Sequence, residues 1–161
     1  MAVTATPATP SVVSADEIRM FLRDFALGHL TSGQGNLILD DVQFSPKELA
    51  LAIKMAVSAY NLVTHVSNVT AANFPNEYLL LIGVTRFLLL SEGFHQLRNQ
   101  VNAQDGDIAP AGIYEKAAAY IALSNTLNAE WTTSVRSLKN QLNMEGAYSS
   151  LGSGMGGGKT I

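Results

Sequence analysis

From Glu77 to Ser91 the chain reads Glu-Tyr-Leu-Leu-Leu-Ile-Gly-Val-Thr-Arg-Phe-Leu-Leu-Leu-Ser. Wound as a helix, this segment is apolar on nearly every side, the pattern of a helix enclosed by other helices. Its uninterrupted apolar part, Tyr78 to Leu90, is thirteen residues long and contains Arg86. A membrane-spanning helix needs about twenty. The segment therefore predicts a buried central helix, running from near Pro75 toward Gln100, and no membrane partner. Gly83 at its middle predicts the close approach of a neighbouring backbone.

Three further helices surround it in the sequence. Ser14-Ala-Asp-Glu17 has the spacing of a capping box, and Ile18, Phe21, Leu22 and Phe25 then fall on one face, with Gly28 as the expected stop. Ser45-Pro-Lys-Glu48 repeats the box with proline at the first helical position, ahead of a stripe formed by Leu49, Ile53, Ala56, Val57 and Tyr60. That periodicity is lost after Val63. A last helix is expected from about Ala111 to Met144, with Tyr114, Ala117, Tyr120 or Ile121, Ser124, Leu127, Trp131, Val135, Leu138 and Leu142 at three-four spacing. The fold class predicted is all-α: a four-helix bundle over 14–145, with a short loop or β insertion near 31–44. Extended arms are expected at 1–13, uncharged and rich in Pro, Thr, Ala and Val, and at 146–161, which holds six glycines.

With 161 residues the chain has room for one sizeable core, and a single domain is expected. Only 14% of the residues are charged, against the usual quarter, which points to surface hidden in contacts with other chains. A net charge of -3 with no basic stripe argues against a sequence-independent grip on DNA, while leaving room for DNA to pass through a pore. The absence of cysteine removes disulfides, thiol catalysis and cysteine-ligated metals. The first ten residues lack lysine and arginine and are broken by proline, so a secretory signal is not expected there.

Chemical motifs are incomplete. Gly158-Lys159-Thr160 resembles the end of a phosphate-binding loop, but Ser153 stands where the first glycine is required, and no helix follows. Glu92-Gly-Phe-His95 places a carboxylate and an imidazole on one helix face, as in di-iron bundles, yet no second Glu-x-x-His is present. His29 and His65 lie at expected helix ends, and Asp40-Asp41 and Asp105/Asp107 suit turns better than a calcium site, which needs about six ordered oxygens. No enzyme activity, metal or cofactor is expected.

Interaction residues are more legible. Tyr148, Leu151, Met155 and Ile161 are spaced anchors in a glycine-rich segment, the pattern of an arm that docks on a partner or folds back on its own subunit, and Lys159 lies among them. The far side of the last helix, including Asn125, Asn128, Thr132, Thr133 and Ser137, is polar but scarcely charged. This suits a subunit contact, a passage lining or a plain exposed face. Trp131 is either a core residue or an interface anchor. Leu37 and Leu39 belong to a short strand or to a loop that plugs a neighbour.

The succession Phe21-Leu-Arg-Asp-Phe25, Phe44-Ser-Pro-Lys-Glu-Leu49, Tyr60-Asn61, Leu79-Leu-Leu-Ile-Gly83, Leu88-Leu-Leu-Ser-Glu92, Arg98-Asn99, Lys116, Tyr120, Trp131 and Lys139 through Asn143 resembles small virion proteins of contractile-tailed bacteriophages, over about residues 15 to 148. Within that group the architecture is similar to head-tail adaptors, also called connector or head-completion proteins. The resemblance implies a structural, non-enzymatic subunit located in the virion neck after assembly in the host cytoplasm. Its partners would be further copies in a twelve-membered ring, the portal protein above, and a neck or tail-terminator protein below, with DNA crossing the channel. It implies that 146–161, with Tyr148, Leu151, Met155, Lys159 and Ile161, is the portal-docking arm. The contact between subunits would use Trp131, Thr132, Asn128, Leu37 and Leu39. The competing expectations are a baseplate or tail-terminator component, and a small helical-bundle metal protein using Glu92 and His95.

Overall fold

The computed structural model describes residues 11–24, 42–98 and 113–154, and the side chains of 116–148 within the last stretch. Four α-helices and one 3-10 turn follow in order: α1 (Ala15–Leu22), α2 (Pro46–Leu62), the turn Ala71–Asn73, α3 (Glu77–Arg98) and α4 (Ile113–Gly154). The chain is mostly helical, and no strand occurs among the described residues. The expected insertion at 31–44 lies outside them except for 42–44, which are irregular. So do residues 1–10, Leu37, Leu39, Met155, Lys159 and Ile161.

Both capping boxes are formed. The Glu17 N–H donates to Ser14 Oγ at 3.2 Å, and the Ser14 N–H donates to Glu17 Oε2 at 2.7 Å. The Glu48 N–H donates to Ser45 Oγ at 3.3 Å, and the Ser45 N–H donates to Glu48 Oε2 at 2.7 Å. These bonds are stronger to ionised carboxylates than to neutral ones. The Ser14 backbone N–H, then its hydroxyl, hold Glu17 below its ordinary pKa of 4.5, and the Ser45 hydroxyl, then its backbone N–H, do the same for Glu48. Because both folded pKa values are depressed, their contribution is complete above about pH 4.5 and is lost as the pH falls through the lowered values. Acidification below pH 4.5 should therefore speed amide exchange first in the opening turns of α1 and α2. Glu48→Gln should flatten that response at α2 and leave it unchanged at α1.

The first helix ends earlier than its apolar spacing predicts. Arg23 takes a left-handed conformation (φ 59°), and the stop falls at Leu22, not Gly28. Asp24 supplies the reason. Its buried carboxylate accepts from the backbone N–H of Gln43 at 2.5 Å and of Phe44 at 3.1 Å, and from Arg19 Nη1 at 2.7 Å. Arg19 Nη2 also donates to Phe44 O at 2.6 Å. The polar clamp at Asp24 joins the end of α1 to the start of α2, and a longer α1 would break it. Phe21, expected in the core, is consequently 46% exposed.

Helix α3 is the centre of the fold, as its all-round apolar character predicts, and packs along its length against both α2 and α4. The pairs Tyr60 with Phe74, Ala56 with Gly83, and Glu48 near His95 set α2 antiparallel to α3. Contacts of Trp131 with Gly83 and of Ile121 with Gly93 set α4 antiparallel to α3 as well. The core is three long helices in which α3 is shared, while α1 is too short to be a fourth member and lies against α2 and α3. By length and composition α3 could cross a membrane, since an eighteen-residue stretch of the 22-residue helix Glu77–Arg98 has a mean hydropathy of 1.2. Its packing between α2 and α4 buries 61% of that stretch inside the protein.

Both ends of the domain differ from expectation. Residues 11–13 are attached to the body: the Val12 N–H donates to Ala71 O at 2.9 Å, and Val13 is buried. At the other end α4 does not stop at Met144. It continues to Gly154, so the expected extended arm is helical over 146–154. No proline follows Pro110 to break the helix. Once nucleated, each added residue gains a backbone hydrogen bond that offsets the cost of about 1 kcal/mol per glycine relative to alanine.

Candidate functional site

Where α3 crosses α4, the sequence places a small residue opposite a large one. A Cβ built on Gly83 would lie 2.7 Å from Trp131 Nε1 and 3.2 Å from Ala56 Cβ, so glycine is needed there for three helices to meet. The indole N–H donates to Leu79 O at 3.0 Å, and Trp131 is 3% exposed. This corrects the expectation that Trp131 anchors a subunit contact: it is spent on its own core.

Over the indole lies Arg86. Its guanidinium carbon is 3.6 Å from the Trp131 ring centre and 4.7 Å from that of Phe87. Nη1 donates to Asn128 Oδ1, Ser124 Oγ donates to Arg86 O at 2.8 Å, and Arg86 Nε is buried without a hydrogen-bond partner among the described residues. Burial pushes the Arg86 pKa down to about 10, which leaves it charged at neutral pH. Asn128, expected at a subunit contact, is exposed and serves this cation. Thr132 is half-buried, and its hydroxyl donates to Asn128 O at 2.7 Å.

A second buried cation ends the packed part of α4. Lys139 Nζ donates to Val63 O at 3.1 Å and to His65 O at 3.0 Å, and stands 4.5 Å from the Tyr60 ring centre. It caps the carbonyl end of α2, where a positive charge is favoured. Burial lowers its pKa. The loop beyond is tied by Asn61, whose Nδ2 donates to Val69 O at 2.8 Å while its Oδ1 accepts from the Val69 N–H at 2.9 Å.

Catalytic and metal chemistry finds little support in this geometry. Glu92 and His95 do approach, with Nδ1 3.7 Å from Oε1, but Gln96 Nε2 donates to the same carboxylate oxygen at 2.5 Å. No group of three or more possible metal ligands exists among the described residues. His65 contributes only its backbone carbonyl to Lys139. His29, Asp40, Asp41, Asp105 and Asp107 lie outside the described residues.

The exposed apolar residues form the most developed feature. On α2, Leu51 (59% exposed), Met55 and Leu62 follow one another at helical spacing. Beside them runs a groove of about 770 Å³ between α2 and residues 11–15, lined by Val13, Leu49, Leu51, Ile53 and Val57, with Lys54 its single charged residue. On α4 every residue from Asn140 to Tyr148 is exposed, including Leu142, Met144 and Tyr148 (69%). Fifteen residues from Asn140 to Gly154 make a helical extension roughly 22 Å long beyond Lys139. Leu151 is part of that helix, so Tyr148 and Leu151 are brought onto the rigid element that holds the core.

Comparison with protein-family models, with curated proteins and with solved structures finds no match.

Proposed function

We propose that this chain is a structural subunit that assembles with copies of itself, and that its place is the neck of a contractile-tailed bacteriophage, as a head-tail adaptor between the portal and the neck or tail-terminator protein. The observation that carries this reading is the helical extension of α4, which presents Leu142, Met144 and Tyr148 to solvent beyond Lys139. An apolar helix surface of this kind gains stability by docking on a partner. Two facts support a role in assembly. Only 14% of the residues are charged, and further large apolar side chains are exposed on α1, α2 and the end of α3. The virion placement rests on the resemblance over residues 15–148. Repeated copies in a ring, twelve in an adaptor, multiply modest contacts into a stable collar, and an acidic to neutral chain lets DNA pass without gripping it. In this reading the portal-docking segment is the chain from Tyr148 through Leu151, Met155 and Lys159 to Ile161. Native mass spectrometry of the purified chain, alone and with purified portal protein, tests the proposal. A ring that binds portal is the expected result, and a stable monomer that ignores portal would overturn it.

A further inference from the structure

The groove on α2 and the extension of α4 match one another, and one chain cannot join its own pair. Helix α4 runs in the same direction as α2, since both are antiparallel to α3, and it passes the end of α2 where Lys139 meets Val63 and His65. The residues beyond Lys139 therefore lead away from Pro46–Val57, which line the groove. A continuous helix does not turn back, so the extension reaches only another molecule.

We propose that the α4 extension of one subunit lies in the α1–α2 groove of the next copy of this chain, so that subunits join head to tail. This deepens, and rests on, the assembly reading above. Three properties of the two surfaces agree. Pro46 to Val57 is about 17 Å of helix, the length of Asn140 to Leu151. Met144 and Tyr148, both exposed, stand at i and i+4, the anchor spacing of a helix that binds in a groove. Glu145 is the one charged residue between Asn140 and Gly154, and Lys54 is the one charged residue lining the groove. The polar groups along the groove are few, and Ser14 is already engaged in its capping box, which suits a helix face better than a small polar ligand. A pairing of two extensions alone would leave the groove uncovered. Two different patches that meet head to tail generate a ring when the rotation closes.

Full-length Tyr148→Glu and Leu51→Glu test the two surfaces separately, because both side chains are exposed and neither packs in the core. Each is expected to weaken self-association at least tenfold with unchanged helical circular dichroism. An equimolar mixture of the two should give a 1:1 heterodimer and nothing larger. The Leu51→Glu copy keeps its extension and the Tyr148→Glu copy keeps its groove, so only one working joint remains. Lys54→Glu and Glu145→Lys should each weaken association several-fold, and the doubly reversed chain should recover most of it. Variants that assemble like the parent chain, or that lose only portal binding, would overturn the groove assignment and leave the ring reading intact. A parent chain that stays monomeric would overturn both.

Discussion

Trp131→Ala should lower the unfolding free energy by about 3–5 kcal/mol, the range for removing a large aromatic side chain from a packed core. The side chain is 3% exposed and fills the space that Gly83 leaves open, so its loss opens a cavity where α2, α3 and α4 converge. It also removes the ring over which Arg86 lies, leaving a buried guanidinium with Asn128 and Phe87 as its contacts. Urea denaturation followed by circular dichroism would measure the change, with a melting temperature lower by roughly 10 °C. Gly83→Ala is expected to be destabilising in the parent chain, where the new methyl would meet the indole at 2.7 Å. In the Trp131→Ala background its cost should be clearly smaller, because the indole is gone and alanine favours the helix by about 1 kcal/mol, while Ala56 Cβ at 3.2 Å still has to yield. A double-mutant cycle without such coupling would refute the proposed contact.

The same pair shows how far the sequence reaches. An all-round apolar segment of this length fits the middle of a helical layer, and Gly83 within it marks a close approach, made by the Trp131 and Ala56 side chains and not by the neighbouring backbone that was expected. Neither inference needs knowledge of the partner. The two capping boxes were equally legible because each is complete within four consecutive residues. The end of α1 was not, since it depends on Asp24 meeting Gln43 and Phe44, which lie 19 and 20 residues away. The roles of Arg86 and Lys139 are illegible in the sequence for the same reason. A cation in an apolar stripe has meaning only once the Trp131 ring or the Val63 and His65 carbonyls are placed beside it. The continuation of α4 through Gly154 was hidden by composition: glycine and serine lower local helix preference, whereas a long preceding helix supplies the nucleus. Of the candidate interaction residues, Tyr148 is exposed on α4, Trp131 lies in the core, and Asn128 and Thr132 serve the polar pairing over α4.

Asp24→Ala is the second change expected to have a large effect, about 3–5 kcal/mol of lost stability, the cost of removing one partner of a buried ion pair. The carboxylate is 3% exposed and holds three donors at once. Alanine would leave the Arg19 guanidinium uncompensated in a largely buried position and two backbone N–H groups without acceptors. Asp24→Asn should cost less, about 1–3 kcal/mol, because its amide oxygen can still accept one of the backbone bonds. The double replacement Arg19→Met with Asp24→Ala should recover part of the loss by removing the stranded charge along with its partner. The location of the damage separates this clamp from a general core defect. Hydrogen exchange in Asp24→Ala should accelerate first in α1 and in the opening turn of α2, while the α3–α4 crossing at Gly83 and Trp131 keeps its protection until global unfolding. Because residues 11–15 form one wall of the α2 groove, loosening α1 should also weaken self-association in proportion. An Asp24→Ala chain that loses stability but assembles with undiminished affinity would separate α1 from the docking surface and assign the groove's binding to α2 alone.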